Sequence, residues 1–70
     1  MEDYLLSVSD TAKRLDISRN QAYDLINRGL LKTLKFKSLK VRNSEINRFL
    51  AEYEGKDLSD LDNIRNLDLI

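Results

Sequence analysis

The segment DISRNQAYDLINRGLL, residues 16–31, carries a helix-capping serine at Ser18 and closes toward a glycine at Gly29. Between them Ala22, Leu25 and Ile26 stand at i, i+3 and i+4, so they share one helical face. Arg19, Asn20 and Gln21 fill the first turn, where long polar side chains are presented rather than buried. Gly29 suits the left-handed residue that ends a helix, and Leu30 after it can fold back onto a core. Upstream, Ser7 and Asp10 resemble a capping box: the hydroxyl accepts from a first-turn N–H and the acid favours the positive helix end. Val8, Ala12 and Leu15 then predict a short helix over about residues 8–15, with Leu5 and Leu6 leading into it as core contacts. Asp16 and Ile17 form the turn. Two short helices joined this tightly make a helix-turn-helix.

Beyond residue 31 the period changes from 3.6 to 2. In LKFKSLKVR, Leu34, Phe36, Leu39 and Val41 alternate with Lys35, Lys37, Lys40 and Arg42. That predicts two strands turning near Lys37 and Ser38, one face buried and the other basic throughout. An isolated hairpin is marginal in water, so its apolar face must rest on the helices. Asn43 or Ser44 caps a third helix, in which Ile46, Phe49, Leu50 and Tyr53 form an amphipathic stripe that ends at Gly55. The remainder, KDLSDLDNIRNLDLI, places apolar residues at 58, 61, 64, 67 and 70. A strict spacing of three drifts around an α-helix, leaving either a short helix using Leu58, Leu61 and Ile64 or a flexible tail. The expected fold is mainly α with a small β-hairpin, a domain over residues 1–54 and an acidic tail over 55–70.

Seventy residues suffice for one small domain, which buries only about 60% of its unfolded surface. Cysteine and histidine are both absent, which removes disulfides, thiolate or imidazole metal sites, and an imidazole base. No Gly-rich phosphate loop occurs and the acids mark no evident pocket, so no enzyme activity, cofactor, metal or small-molecule substrate is expected. With no apolar run of membrane length and no signal peptide, a cytoplasmic protein is the expectation. The formal charge of zero conceals a division. Residues 1–10 carry −3, residues 11–48 carry +7 and residues 49–70 carry −4. A partner meets the local field, and here that field is a basic surface between acidic ends.

Helix, turn, helix, basic hairpin and helix is the layout of a winged helix-turn-helix. The run YLLSVSDTAKRLDISRNQAYDLINRGLLKTLKFKSLKVRNSEINRFL, and roughly residues 4–53 in all, resembles the excisionase-type, MerR-like winged helix-turn-helix domains of phage and transposon excisionases and AlpA-type regulators. Its marks are LSVSDTAKRL, ISRNQAYDLI, the RGLL exit, the basic wing and the closing S-E-I-x-R-F-L helix. It departs from many relatives in having Lys32 after the second helix, where proline is common, and Lys37 and Ser38 in the wing turn, where glycine is common. The resemblance implies a protein of bacteria or phage that binds double-stranded DNA. It would bind as an excisionase that occupies repeated sites cooperatively and bends the DNA to help an integrase, or as a small regulator of a mobile element. It also implies that the second helix enters the major groove. Arg19, Asn20 and Gln21 then read bases, Ser18, Tyr23 and Arg28 lie near phosphates, and Lys35, Lys37, Ser38, Lys40 and Arg42 track the backbone.

Side-chain chemistry supports the same positions, since Arg pairs bidentately with guanine and Asn or Gln with adenine, and a helix N-terminus favours a phosphate. Plainer readings stand beside these. First-turn polar residues can be merely solvated, Tyr23 can pack, and wing cations can simply solubilise an edge strand. Asp24 either pairs with Arg28 at i+4 or accepts from cytosine. Lys13 and Arg14 are further candidates for phosphate contact. Tyr4, Phe36, Phe49 and Tyr53 could form a stacking platform, but Phe36 and Phe49 fall in stripes expected to be buried. The acidic tail is either solvated or docks on a partner protein.

Overall fold

A computed structural model describes residues 3–67. Strand β1 (Leu5–Ser7) runs straight into helix α1 (Val8–Leu15), and α2 (Arg19–Asn27) follows after a short turn. A hairpin of β2 (Leu34–Lys35) and β3 (Leu39–Arg42) leads into α3 (Asn43–Tyr53), and a second small hairpin joins β4 (Lys56–Asp57) to β5 (Arg65–Asn66). Among the described residues no helix is long and apolar enough to cross a membrane.

Both helix starts follow the sequence. Ser7 Oγ accepts from the Asp10 N–H at 3.1 Å. Ser18 and Gln21 form a reciprocal capping box: Gln21 N–H donates to Ser18 Oγ at 3.1 Å and Ser18 N–H donates to Gln21 Oε1 at 2.9 Å. Asp16 (φ 57°) closes α1 in the left-handed region, with its N–H bonded to the last carbonyls of that helix. Gly29 (φ 76°) does the same after α2, a conformation that favours a residue without Cβ. The chain then reverses, and the Leu30 and Leu31 N–H groups both return to Leu25 O. Leu31, rather than Leu30, is the side chain this turn buries fully.

One apolar cluster joins Leu25, Leu31, Val41, Ile46 and Phe49, and a smaller one joins Val8, Ala12 and Ala22 beneath α1 and α2. Ile17 and Ile26 pack against both, so the helix-turn-helix and the rest of the domain share a continuous interior. Buried Thr11 is satisfied by donating to Ser7 O at 2.8 Å.

Four expectations are corrected. First, Leu5 and Leu6 do not simply lead into α1: they form β1, the edge of a three-stranded sheet ordered β1-β3-β2. Leu6 pairs with Val41 and packs inward, whereas Leu5 opposes Arg42 and is exposed.

Second, the wing is not split into one apolar and one basic face. The three-residue loop 36–38 fixes the register Lys35↔Leu39 and Leu34↔Lys40. Directly opposed residues lie on the same side of a sheet, so Lys35 shares the inner side with Leu39 and Val41. Leu34 turns outward with Lys40 and Arg42. Leu34 and Phe36 are accordingly exposed, Phe36 to 72%.

Third, neither Asn43 nor Ser44 caps α3 with its own side chain. The carboxylate of Asp3 takes that place across the fold, accepting from Ser44 N–H at 3.0 Å and from the Ser44 hydroxyl at 2.8 Å. Leu50, on the expected stripe, is half exposed, while Ile46 and Phe49 are buried.

Fourth, the short helix over 58–64 is absent. Residues 56–57 and 65–66 pair as antiparallel strands, and the intervening loop lays Leu58 and Leu61 on the main core. Leu67 N–H extends this pairing to Gly55 O at 2.7 Å, and Gly55 (φ 82°) supplies the reversal after α3. Ile70 lies outside the described residues.

Candidate nucleic-acid interface

Helix α2 is held from below by Ala22 and Leu25, which are buried, and by half-buried Ile26. Its opposite side presents Asn20, Tyr23, Asp24 and Asn27, which line a shallow surface concavity with Gln21. Arg19 and Asn20 are exposed at the helix tip, and their side chains make no hydrogen bond or ion pair among the described residues. Gln21 stands in the same turn, but its Oε1 is occupied by the Ser18 N–H. Its amide NH₂ remains able to donate. Gln21 therefore has a structural duty that its spacing from Ser18 already encoded as S-x-x-Q. Asn27, seven residues after Asn20 and four after Tyr23, shares their outward face and is the polar residue that sequence reasoning passed over.

The basic segment is more neutralised than its +7 indicates. Arg28 Nε donates to Asp24 at 3.0 Å, the expected i, i+4 pair, and its Nη1 donates to Asp62 from the tail loop. Hydrogen bonds from Arg28 hold the Asp62 carboxyl below its ordinary range, while Asp62 first and Asp24 second raise the arginine. Arg42 donates to Asp3 at 2.7 Å. The Asp3 carboxyl is lowered by the Ser44 N–H, then by the Ser44 hydroxyl, then by Arg42. Arg48 is shared by Glu45, Glu52 and Leu30 O, and Arg14 donates to Asn43 and Asn47, so both brace α3.

What remains without a carboxylate at salt-bridge distance, among the described residues, is informative. Arg19 on α2 and Lys35, Lys37 and Lys40 on the wing are in this class. Lys37 and Ser38 are exposed in the loop 36–38, and Lys35 is exposed beside it. Lys40 is half-buried between Ser7 and Leu34, its partners on either side. The wing is anchored to α1 and α2 directly, because Leu39 packs on the cluster of Val8, Ala12 and Ala22. Its loop therefore leaves the body at the helix-turn-helix and not at the tail.

The family model of the helix-turn-helix domain matches residues 5–53, and no curated protein and no solved structure gives a match. The matched span runs from β1 to the end of α3 and takes in the helix-turn-helix and the wing, while β4 and β5 lie outside it. This chain belongs to the helix-turn-helix domain family, which includes excisionase- and AlpA-like DNA-binding domains, and DNA is its class of partner.

Proposed function

We propose that the chain is a sequence-specific double-stranded DNA-binding protein without enzymatic activity, acting as an excisionase-like recombination directionality factor. It occupies repeated sites, bends the DNA and favours excision by an integrase. The observation that carries DNA reading is the tip of α2: capped by Ser18, fixed by its buried face, and presenting Arg19 and Asn20 beside a wing with three lysines that have no carboxylate partner among the described residues. The likeness over residues 4–53 to excisionase-type domains supports the recombination role.

In this reading Arg19 and Asn20 address base edges bidentately. Gln21 contributes only its amide NH₂, so it pairs with an acceptor such as guanine O6 or N7. The Ser18 tip and Tyr23 approach phosphates, with Lys35, Lys37, Ser38 and Lys40 along the backbone. Arg28 and Arg42 join them only by exchanging a carboxylate for a phosphate.

Selection of binding sites from a random duplex pool, followed by DNase footprinting on DNA carrying two or more copies of the selected site, tests the proposal. Adjacent protected repeats and a bend that grows with occupancy are expected. A single unbent site at a promoter would favour a transcriptional regulator built on the same interface. Failure to enrich any sequence would overturn specific binding.

A further inference from the structure

Phe36 is the most exposed large apolar side chain among the described residues, at 72%. A lone exposed apolar residue is ordinary on a protein surface. Three features set this one apart. It sits at the tip of the wing, in a loop closed by a Phe36 N–H bond to Ser38 O at 3.2 Å. It stands between Lys35 and Lys37, both exposed and without a carboxylate partner among the described residues. The register that turns Leu34 outward also deprives the ring of the inner face where the alternation would have buried it. The tip thus offers an apolar wedge framed by cations, emerging beside the helix-turn-helix because Leu39 is seated on Val8, Ala12 and Ala22.

An aromatic or aliphatic side chain in such a frame matches the needs of minor-groove wedging. Cations hold the flanking phosphates while the apolar group enters a base step, unstacks it and kinks the duplex toward the major groove. We propose that Phe36 inserts between base pairs in the minor groove next to the site read by α2, and that this insertion produces the kink. The inference rests on the DNA-binding reading and adds to it the residue and the mode of deformation.

The test uses the full chain and a duplex bearing a selected site, with 2-aminopurine placed singly at steps flanking the site and the bend measured by end-to-end energy transfer. With wild type, 2-aminopurine emission rises at one step and the ends draw together by a kink of about 20–90°. Phe36→Ala should abolish both signals and weaken binding about tenfold, while the salt dependence stays the same because no charge is lost. Phe36→Trp should retain the bend and show indole quenching on the duplex. If Phe36→Ala binds with an unchanged bend and unchanged 2-aminopurine emission, the wedge is overturned and α2 reading stands. If the variant loses only cooperativity between adjacent sites, Phe36 touches a neighbouring copy, which also overturns the wedge. If wild type enriches no site at all, DNA reading itself has failed.

Discussion

Replacing Gln21 by glutamate separates the two duties that the structure assigns to this side chain. A carboxylate at this third helical position can still accept the Ser18 N–H, because the capping box takes Glu as readily as Gln. A negative charge in the first turn of α2, which has no acid there, adds about 0.3–1 kcal/mol through the helix dipole at low salt. For a domain of this size each kcal/mol moves the midpoint by about 4–8 °C, so Gln21→Glu should melt roughly 1–8 °C above wild type. DNA binding should move the other way. The variant loses the amide NH₂ that faces the bases and brings a carboxylate to a surface meant for phosphates. The loss of one specific contact, about 1–3 kcal/mol, corresponds to a fall in affinity of about 5- to 150-fold. Thermal denaturation by circular dichroism and anisotropy titration with a selected duplex, at a temperature well below both midpoints, read the two effects separately. A lowered midpoint would refute the capping geometry. Unchanged affinity and unchanged base preference would refute the place given to Gln21 in the interface.

Further predictions concern charge and core. With Lys35, Lys37 and Lys40 as the cations placed along the backbone, about three phosphate contacts should give a log–log salt slope near −2.7, and a slope near zero would remove the wing from the interface. Asp62→Asn releases one of the two carboxylates on Arg28 and should tighten DNA binding and steepen that slope by up to about 0.9; no change in a salt titration would show that Arg28 stays remote from phosphate. Ile46→Ala empties the centre of a core in which Ile46 is fully buried and should cost about 2–5 kcal/mol. That is a large part of the roughly 3.5–10 kcal/mol available to a chain of this length, so urea denaturation should show a much earlier midpoint. The carboxyls of Asp3, Glu45, Asp57 and Asp62 are lowered on folding, Glu45 chiefly by Arg48 and Asp57 chiefly by Ser59. A lowered folded value stabilises above the unfolded one. Stability should therefore be flat from about pH 5 to 8, where no histidine titrates, and decline below about pH 4 as these groups take up protons.

The parts of the fold legible in the sequence were those set by local rules. Ser7, Ser18, Gly29 and Gly55 marked helix ends because caps and left-handed residues act within a few positions of themselves. The core positions Ala22, Leu25, Ile46 and Phe49 followed from helical spacing. What escaped depends on residues distant in the chain. β1 exists only because β3 pairs with it, and the same register, continued past Leu5 and Arg42, brings Asp3 opposite Ser44. The tail showed a spacing of three that belongs to neither regular period, and its strands form by pairing with each other. The wing was found but its register was not. An odd loop without glycine or asparagine gives no local signal of which residues oppose one another, and a slip of one residue exchanges the faces. For the interface, the tip of α2 was visible as polar residues after a cap. The capture of Arg28 by Asp62 and of Arg42 by Asp3 was not, since both acids come from other segments. The same packing makes removal of residues 56–70 a poor test of the interface, because it would also strip Leu58 and Leu61 from the core.

Base reading rests on the first turn of α2. Binding-site selection performed in parallel with wild type and Arg19→Ala tests it most directly, because Arg19 is exposed and braces nothing in the fold. Wild type should enrich a defined motif, and the variant, equally stable, should lose preference at one guanine while keeping the rest. Recovery of the same motif, with the same preference at every position, would contradict base reading by that turn.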